Sequence, residues 1–267
     1  MDRIEKAGVV YCAFPHLAET GLVRHGFSTK HGGVSKNEFA TMNLSVSRGD
    51  NPANVSENIA RMKSALQIKD AETVFCQQTH ETRVVCVNKS LVNNGNIYLE
   101  GVYATDGLIT NTSGLALVTM HADCVPLFFL DPVKKAIGMT HAGWRGTLND
   151  IAGETVRRMT GCFGSQAKDM LVGIGPSIGS CCFEVGAEVV GAFREKWDFA
   201  DEIIENNREK LHINLQKANT KLLCHMGVSI NHIEIAGICT MCNKDDFFSH
   251  RRDGAARGSM AAFLALR

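Results

Sequence analysis

Residues 107–142 decide the fold class and read GLITNTSGLALVTMHADCVPLFFLDPVKKAIGMTHA. Apolar runs predict four closely spaced strands, at 107–110, 115–120, 126–130 and 136–140. The longest apolar stretch, 114–130, is interrupted by His121 and Asp123 and is shorter than the ~20 apolar residues that a membrane span needs. We therefore expect these strands to lie in the core of a folded domain.

Helical patterns lie outside this group of strands. Pro52 opens a predicted helix in which Val55, Ile59, Met62 and Leu66 recur at helical spacing. Further helices are predicted at 147–162, 186–197 and 214–226, and further strands at 73–77, 83–87, 170–174 and 230–236. Clustered strands with separate helices favour an α+β fold made of packed layers over a repeated βαβ unit.

The composition is that of a globular protein without a strong overall charge. The chain has 267 residues, of which 45% are hydrophobic, and its 28 Lys and Arg balance 28 Asp and Glu. This balance disfavours a disordered chain and gives no general attraction to nucleic acid or to an anionic membrane surface. Because no repeat and no Pro- or Ser-rich linker is visible, we expect a single domain over residues 1–267.

The N-terminus and the cysteines favour a reducing, cytoplasmic location. Charged residues at positions 2–6 precede only a short apolar run, at 7–14, unlike a secretory signal peptide. Most of the ten cysteines lie in apolar runs, as buried free thiols do. CTMC, from Cys239 to Cys242, has the spacing of a zinc or redox pair, but one such pair alone is a weak signal.

Three residues at the ends of predicted strands are candidate ligands or catalytic groups: His80, Cys124 and His141. Two imidazoles and one thiolate can form an open zinc site, in which a fourth position is left for water or substrate. The spacing does not separate this site from ordinary core histidines and a core thiol. A metal-free alternative makes Cys124 a nucleophile with His141 as its base.

An ordered set of short motifs carries a resemblance that covers nearly the whole chain from Phe27 onward. The motifs are FST at 27–29, GGVS at 32–35, NLS at 43–45, GD at 49–50, QTH at 78–80, TDG at 105–107, ADC at 122–124, HAGWRG at 141–146, GIGP at 173–176, CFEV at 182–185 and FSHRRD at 248–253. Together they resemble the YfiH-like laccase-domain family, also called multi-copper polyphenol oxidoreductases and now purine nucleoside phosphorylases.

The resemblance implies a fold, a metal and an activity. The fold is a layered α/β/β/α sandwich, and the matching His80, Cys124 and His141 bind zinc in the family. The implied activity is phosphorolysis of adenosine, inosine and methylthioadenosine, accompanied by deamination of adenosine. The expected partners are thus a purine nucleoside and phosphate, with no nucleic acid and no membrane.

Phosphorolysis also needs groups that hold phosphate and ribose. Arg48 and Arg145 are the candidates for phosphate, because a guanidinium fork matches its oxygens, and Asn43 is a candidate for a ribose hydroxyl. The alternative for both arginines is an ion pair on a surface loop. His121 departs from the family pattern and either adds an imidazole to the site or packs, while Ser259 replaces a family arginine.

Other functions remain open at this stage. Copper-dependent phenol oxidation fits the older family name, and copper binds nitrogen and sulfur ligands well. However, the ten histidines lack the close H-x-H pairs of a multicopper oxidase. A cysteine-type amide hydrolase, acting for example in peptidoglycan precursor editing, and a non-catalytic metal-bearing module are further alternatives.

Overall fold

The computed structural model describes residues 1–92, 104–207 and 210–267. Its strands are β1 (Asp2–Lys6), β2 (Val9–Ala13), β3 (Val23–Ser28), β4 (Glu72–Phe75), β5 (Val84–Cys86), β6 (Gly107–Thr110), β7 (Leu115–His121), β8 (Val125–Asp131), β9 (Ala136–Ala142), β10 (Leu171–Ile174), β11 (Ile204–Asn207), β12 (Lys210–Ile213), β13 (Ile233–Ile235) and β14 (Met260–Leu266). Its α-helices are α1 (Pro15–Glu19), α2 (Pro52–Ala65), α3 (Lys89–Val92), α4 (Trp144–Leu148), α5 (Ile151–Phe163), α6 (Ala187–Lys196), α7 (Ala200–Ile203), α8 (Leu215–His225) and α9 (His250–Asp253).

Most strands belong to two six-stranded sheets. The first sheet has the order β1-β2-β3-β14-β7-β4, the second has the order β13-β10-β8-β9-β6-β5, and β11 pairs with β12 alone. Most neighbours are antiparallel, but β4 is parallel to β7, β5 to β6 and β10 to β13. Because β4 and β5 lie in different sheets, the segment 76–83 crosses from one sheet to the other and carries His80 with it.

Three apolar clusters separate four layers. On β8, Phe128 packs between the two sheets and its neighbour Phe129 packs toward α5 and α8. On β7, Leu117 faces the space between the sheets and Val118 packs on the other side with Met62 of α2. Successive strand residues point to opposite faces, so strands buried on both faces read as continuous apolar runs. The predicted α+β fold, an α/β/β/α sandwich, is confirmed.

One predicted helix is wrong in its extent. The pattern at 147–162 predicts a single helix, whereas α4 and α5 are separate. Asp150 interrupts them with φ +63°, and its Oδ1 accepts a hydrogen bond of 3.0 Å from the Gly153 N–H, which caps α5. The amphipathic pattern continues through this break, so periodicity alone does not reveal it.

The strands β1 to β3 and β14 were not predicted. β14 reads MAAFLAL, is almost completely buried, and pairs with both β3 and β7. A short run that is apolar on every position has no periodicity that separates a strand from a buried helix. Within the described ranges, none of the helices has both the length and the apolar character needed to cross a membrane.

Candidate active site

The three candidate ligands meet where the two sheets approach each other. The ligand atoms of His80, Cys124 and His141 all lie within 4.8 Å of one another, and we call this group the His–Cys–His centre. The imidazole centroids of His80 and His141 are 4.9 Å apart. Gly143 permits this approach, because a Cβ there would lie 2.9 Å from His80 Nδ1 and 3.3 Å from Cys124 Sγ.

The pairing of strands explains this convergence. In the second sheet β8 is antiparallel to β9, and Pro126 lies opposite His141, so Cys124 at the start of β8 is carried to the same end of the hairpin. His80 arrives from the first sheet on the crossing segment and adopts a left-handed conformation, with φ +62°. That conformation is unusual for a residue other than glycine and needs local support.

Asp106 supplies the support. Its buried carboxylate accepts hydrogen bonds from the backbone N–H groups of Thr79 at 3.0 Å, His80 at 3.1 Å and Glu81 at 3.0 Å. It also lies 2.8 Å from His141 Nδ1. With Nδ1 as the donor to Asp106, Nε2 of His141 becomes the ring atom that serves a metal ion or the Cys124 sulfur.

The charges of the centre are strongly coupled. Burial raises the pKa of Cys124, but His141 and His80 outweigh burial and lower this pKa to about 6. Burial lowers the pKa of His141, but the Cys124 thiolate and Asp106 outweigh it and raise this pKa to about 9. The thiolate is thus the stable form of Cys124 at neutral pH, and thiolate is the form that binds metal. Two imidazoles and a thiolate fit zinc, and they also fit copper.

The centre lies in a large cavity of about 1010 Å³. Aromatic and aliphatic side chains cover part of its wall, namely Phe75, Trp144, Ile178, Phe183, Val189 and Leu215. Basic side chains cover another part, namely Arg48, Arg145, His250, Arg251 and Arg257. An apolar cavity with a few converging charged groups is typical of a site for a small molecule.

Arg257 is a buried cation in this wall, and the charge of Arg48, which lines the same cavity, acts on it. Arg257 is only 5% exposed, and its Nε has no hydrogen-bond partner among the described residues. Its Nη1 donates to the carbonyl oxygen of Gly258 and to the Ser259 hydroxyl. It forms no ion pair with a carboxylate of the described residues, and Asp123, Cys124 and Asp253 act on it only through their charges. Burial, and then the charge of Arg48, lower the pKa of Arg257. An anion bound between the two guanidinium groups would relieve this repulsion.

A comparison with known proteins places the chain in a family. The model of the family described as multi-copper polyphenol oxidoreductase laccase matches residues 24–267. The chain belongs to this family.

Members with names or solved structures extend the comparison to nearly the full length. Purine nucleoside phosphorylase YlmD of Geobacillus stearothermophilus is 36% identical over 98% of this chain and 96% of the relative. Human purine nucleoside phosphorylase LACC1 is 33% identical over 91% of this chain but 55% of its own length. The crystal structure of the Geobacillus YlmD has a TM-score of 0.89 at 34% identity, covering 99% of this chain and 98% of that one.

The remaining residues proposed from sequence occupy different positions relative to the cavity. Arg145 is exposed at the cavity wall, with its guanidinium 4.2 Å from the centre of the Trp144 ring. Asn43 is buried, and it is not among the described residues that line the cavity. Its amide bonds to Asp50 at 2.9 Å, and its oxygen accepts from the Ser259 N–H at 2.9 Å. This placement does not favour direct contact with ribose.

His121 packs beside the His–Cys–His centre. Its Nε2 is 2.7 Å from the Thr119 hydroxyl and its Nδ1 is 3.1 Å from the Cys124 carbonyl oxygen. Burial lowers the pKa of His121 well below its usual value, and the charge of His141 lowers it further. Because both ring nitrogens are engaged, His121 holds the Cys124 backbone and is not placed as a fourth ligand.

Three residues that shape the site are not predicted from the sequence: Asp106, Asp123 and Arg257. Asp106 and Asp123 lie within the motifs TDG and ADC, but the motifs alone give neither residue a role. Asp123 accepts hydrogen bonds from Thr240 at 2.7 Å and Ser249 at 2.9 Å. Arg257 lies two positions before the Ser259 substitution, which was the only signal in the sequence that could have pointed to it.

Proposed function

We propose that this family member is a zinc-dependent purine nucleoside phosphorylase that acts on adenosine, inosine and methylthioadenosine. The observation that carries the proposal is that the His–Cys–His centre and the pair Arg48 and Arg257 line the same cavity. The cavity thus offers one place for a metal ion and another for the phosphate that phosphorolysis consumes. The relatives named purine nucleoside phosphorylase, such as the 36% identical YlmD, support the same activity.

The metal would be held by His80, Cys124 and His141. A three-ligand nitrogen and sulfur set is typical of catalytic zinc, since it leaves a coordination position open. When bound, zinc supplies Lewis acidity at this end of the cavity. Asp106 would orient His141 toward the ion and fix the backbone on which His80 stands. The low pKa of Cys124 means that its sulfur binds as a thiolate without a large cost.

Arg257 and Arg48 would bind phosphate. The unpaired Nε of Arg257 is a ready donor, and two guanidinium groups neutralise most of the charge of a phosphate dianion. Arg145, exposed at the wall, would approach the same anion or a substrate that enters above it. The apolar residues around Ile178 and Phe183 would receive the purine.

In the proposed reaction the protein binds and orients the two reactants, and the bonds form and break between the reactants themselves. A phosphate oxygen forms a bond to C1′ of the sugar while the bond between C1′ and the purine nitrogen breaks. The purine leaves with the bonding electrons and takes up a proton from solvent, which gives the free base and a pentose 1-phosphate. Holding phosphate beside C1′ in a partly enclosed cavity supplies the proximity on which this displacement depends.

Deamination of adenosine is a second activity of the same proposal. A water oxygen would replace the amino group at C6 of adenine, and ammonia would leave. The complete signature of the known zinc deaminases, H-x-E followed by P-C-x-x-C, is absent from the sequence. The activity would therefore rest on the His–Cys–His centre as an unrelated solution to the same chemistry.

Phosphate-dependent release of hypoxanthine from inosine tests the proposal. We expect the purified protein to form hypoxanthine only when phosphate is present, to lose activity after removal of metal by a chelator, and to regain it with zinc. Elemental analysis combined with oxygen uptake in the presence of a phenol tests copper-dependent oxidation on the same sample. Hypoxanthine release that is unaffected by both chelator and phosphate would contradict the proposal.

A cysteine hydrolase is a second candidate because of one specific observation. Cys124, His141 and Asp106 are arranged as nucleophile, base and orienting carboxylate, with 2.8 Å between the last two. In this case the Cys124 thiolate would attack an amide carbon, and His141 would give a proton to the leaving amine. Alkylation of Cys124 at a rate that does not change on addition of chelator or zinc would favour this candidate, since a bound metal protects the sulfur.

A further inference from the structure

A second group of thiols lies outside the His–Cys–His centre. The sulfur atoms of Cys181, Cys182, Cys239 and Cys242 all lie within 4.8 Å of one another, and we call this group the four-cysteine cluster. Cys182 Sγ is 3.3 Å and Cys181 Sγ 3.6 Å from Cys242 Sγ, and all four cysteines are free thiols. We propose that these four residues hold a second, structural metal ion, and that the ion is zinc.

The distances suit this ion. Four sulfurs at ~2.3 Å from a central zinc ion in a tetrahedron are about 3.8 Å apart. The two measured sulfur separations are slightly shorter than this value, at 3.3 and 3.6 Å, and far longer than the ~2.05 Å of a disulfide bond. A tetrahedral set of four thiolates selects zinc or iron among the common metals. Zinc is the choice for a structural site because, unlike iron, it does not change its oxidation state.

The fold brings the two pairs of cysteines together. Cys181 and Cys182 follow β10, Cys239 and Cys242 follow β13, and these two strands are parallel neighbours in the second sheet. The pairing continues beyond the strands, because Ser177 bridges to Cys239 and its carbonyl oxygen accepts the Thr240 N–H at 3.0 Å. The thiols therefore converge without any bond between them.

The local backbone is shaped around the sulfurs. The backbone N–H groups of Gly179 and Cys242 donate hydrogen bonds to the Cys239 sulfur. A Cβ on Gly179 would lie 3.2 Å from Cys181 Sγ and 3.2 Å from Cys239 Cβ, so a side chain there would crowd the cluster. Amide hydrogen bonds to a sulfur stabilise its thiolate form, which is the form that binds metal.

One side chain holds the loop that carries the second pair of cysteines. Arg252 donates from Nη1 to the carbonyl oxygens of Thr240 and Met241, at 3.2 and 2.9 Å, and these two residues separate Cys239 from Cys242. Its Nε and Nη2 donate to the Asp253 carboxylate, at 2.7 Å each, which balances the charge of the guanidinium group. Arg252 therefore fixes the conformation of the loop in which two of the four sulfurs stand.

The cluster also connects to the cavity. Thr240, between Cys239 and Cys242, donates to Asp123 Oδ1 at 2.7 Å, and Asp123 precedes Cys124. On the other side, the Ile178 N–H donates to the Asp123 carbonyl oxygen at 2.8 Å, two residues after Pro176 and three before Cys181. An ion in the cluster would fasten both loops to Asp123, so its role would be to position the cavity wall rather than to contact substrate.

Metal content provides the first test. We expect two zinc ions per chain in the purified wild type, and one in the double variant Cys181→Ser/Cys242→Ser. The matched control is Cys162→Ser/Cys224→Ser, which also removes two exposed thiols and should keep both ions. Cys124→Ala should lose the other ion. If only the proposed active-site metal is wrong, the wild type holds one zinc and the cluster variant none, so the two failures are distinguishable.

Thiol reactivity in the native wild type tests the proposal without any variant. Cys162, Cys181, Cys224 and Cys242 are all exposed, so iodoacetamide can reach each of them. We expect Cys181 and Cys242 to react at least about tenfold faster after removal of zinc by a chelator than before it, while the rates of Cys162 and Cys224 stay the same. Rates of Cys181 and Cys242 that do not change on chelation, a disulfide within the cluster in the purified protein, or iron in place of zinc would each overturn the proposal.

Discussion

The His–Cys–His centre and the four-cysteine cluster use the same kind of ligand atoms in opposite settings. The centre offers three ligands at the wall of a large cavity, and Asp106 controls the orientation of one of them. The cluster offers four ligands and lies at the surface, where Cys181 and Cys242 are exposed. Three ligands leave a position for substrate, whereas four close the coordination sphere. We therefore assign chemistry to the first group and support of the fold to the second.

The largest expected effect separates these two assignments directly. Cys124→Ala removes a ligand of the open site and should lower kcat/KM for inosine phosphorolysis by at least about 1000-fold, because the ion and its Lewis acidity are lost. Cys181→Ser/Cys242→Ser should lower the same value by no more than about threefold, since these residues do not touch substrate. Steady-state kinetics with purified variants provides the measurement.

In thermal unfolding, the effects of Cys124→Ala and of the cluster variant Cys181→Ser/Cys242→Ser should have the reverse order. Loss of a closed structural site removes binding free energy that is also folding free energy, so the cluster variant should have the lower Tm of the two. The control Cys162→Ser/Cys224→Ser should resemble the wild type in both measurements. The comparison breaks down if the cluster variant loses activity as severely as Cys124→Ala while it remains folded.

A smaller effect is expected from Asp106. Asp106→Asn keeps the size of the side chain, but it removes the negative charge that favours His141 and places an NH₂ group among three backbone N–H donors. Loss of such an orienting carboxylate typically costs 10- to 100-fold, and we expect about 100-fold in affinity for the active-site zinc. Competition with a chelator measures the affinity.

The four-cysteine cluster serves as the internal reference for this variant. Its zinc should be retained at the wild-type affinity, because Asp106 contacts the centre and not the cluster. Equal weakening of both sites would indicate a general loss of folding and would remove the proposed role of Asp106.

The fold was largely accessible from sequence, and so were the three candidate ligands. The strands of residues 107–142 have strong apolar runs with turn signals between them, and Cys124 and His141 lie at the ends of such strands, as His80 does after the predicted strand at 73–77. The helix beginning at Pro52 was equally clear. These features are local, so a pattern in the sequence can specify them.

What was missed depends on long-range geometry. The role of Asp106 arises from the crossing of 76–83 between sheets, which no local pattern predicts. The CTMC pair was visible, but Cys181 and Cys182 join it only through the parallel pairing of β10 with β13. Arg257 reaches the cavity because β14 returns to the middle of the first sheet. Contacts between distant segments are set by topology rather than by propensity.

Arg257 gives a prediction of intermediate size. Arg257→Ala removes one of the two guanidinium groups that face the proposed phosphate site and should raise the KM for phosphate about 20-fold, as loss of a charged hydrogen bond does. The KM for inosine should change little, and both metal ions should stay bound. Arg145→Ala, at the more exposed part of the wall, is the matched comparison and should have a smaller effect. A larger rise in the KM for inosine than in that for phosphate would reassign Arg257 to the nucleoside.

The smallest effects are expected at two glycines, one in each site, where the absence of a side chain lets ligand atoms lie close to the backbone. A Cβ on Gly143 would lie 2.9 Å from His80 Nδ1, and one on Gly179 would lie 3.2 Å from Cys181 Sγ. Neither glycine has a positive φ, so alanine introduces crowding rather than backbone strain. Overpacking of about 1 kcal/mol at the centre would lower kcat/KM about fivefold in Gly143→Ala. Gly179→Ala should leave kcat/KM unchanged and release the cluster zinc to a chelator several-fold faster. If Gly179→Ala instead lowered activity as much as Gly143→Ala, the cluster would belong to the catalytic machinery, and the separation of the two sites would fail.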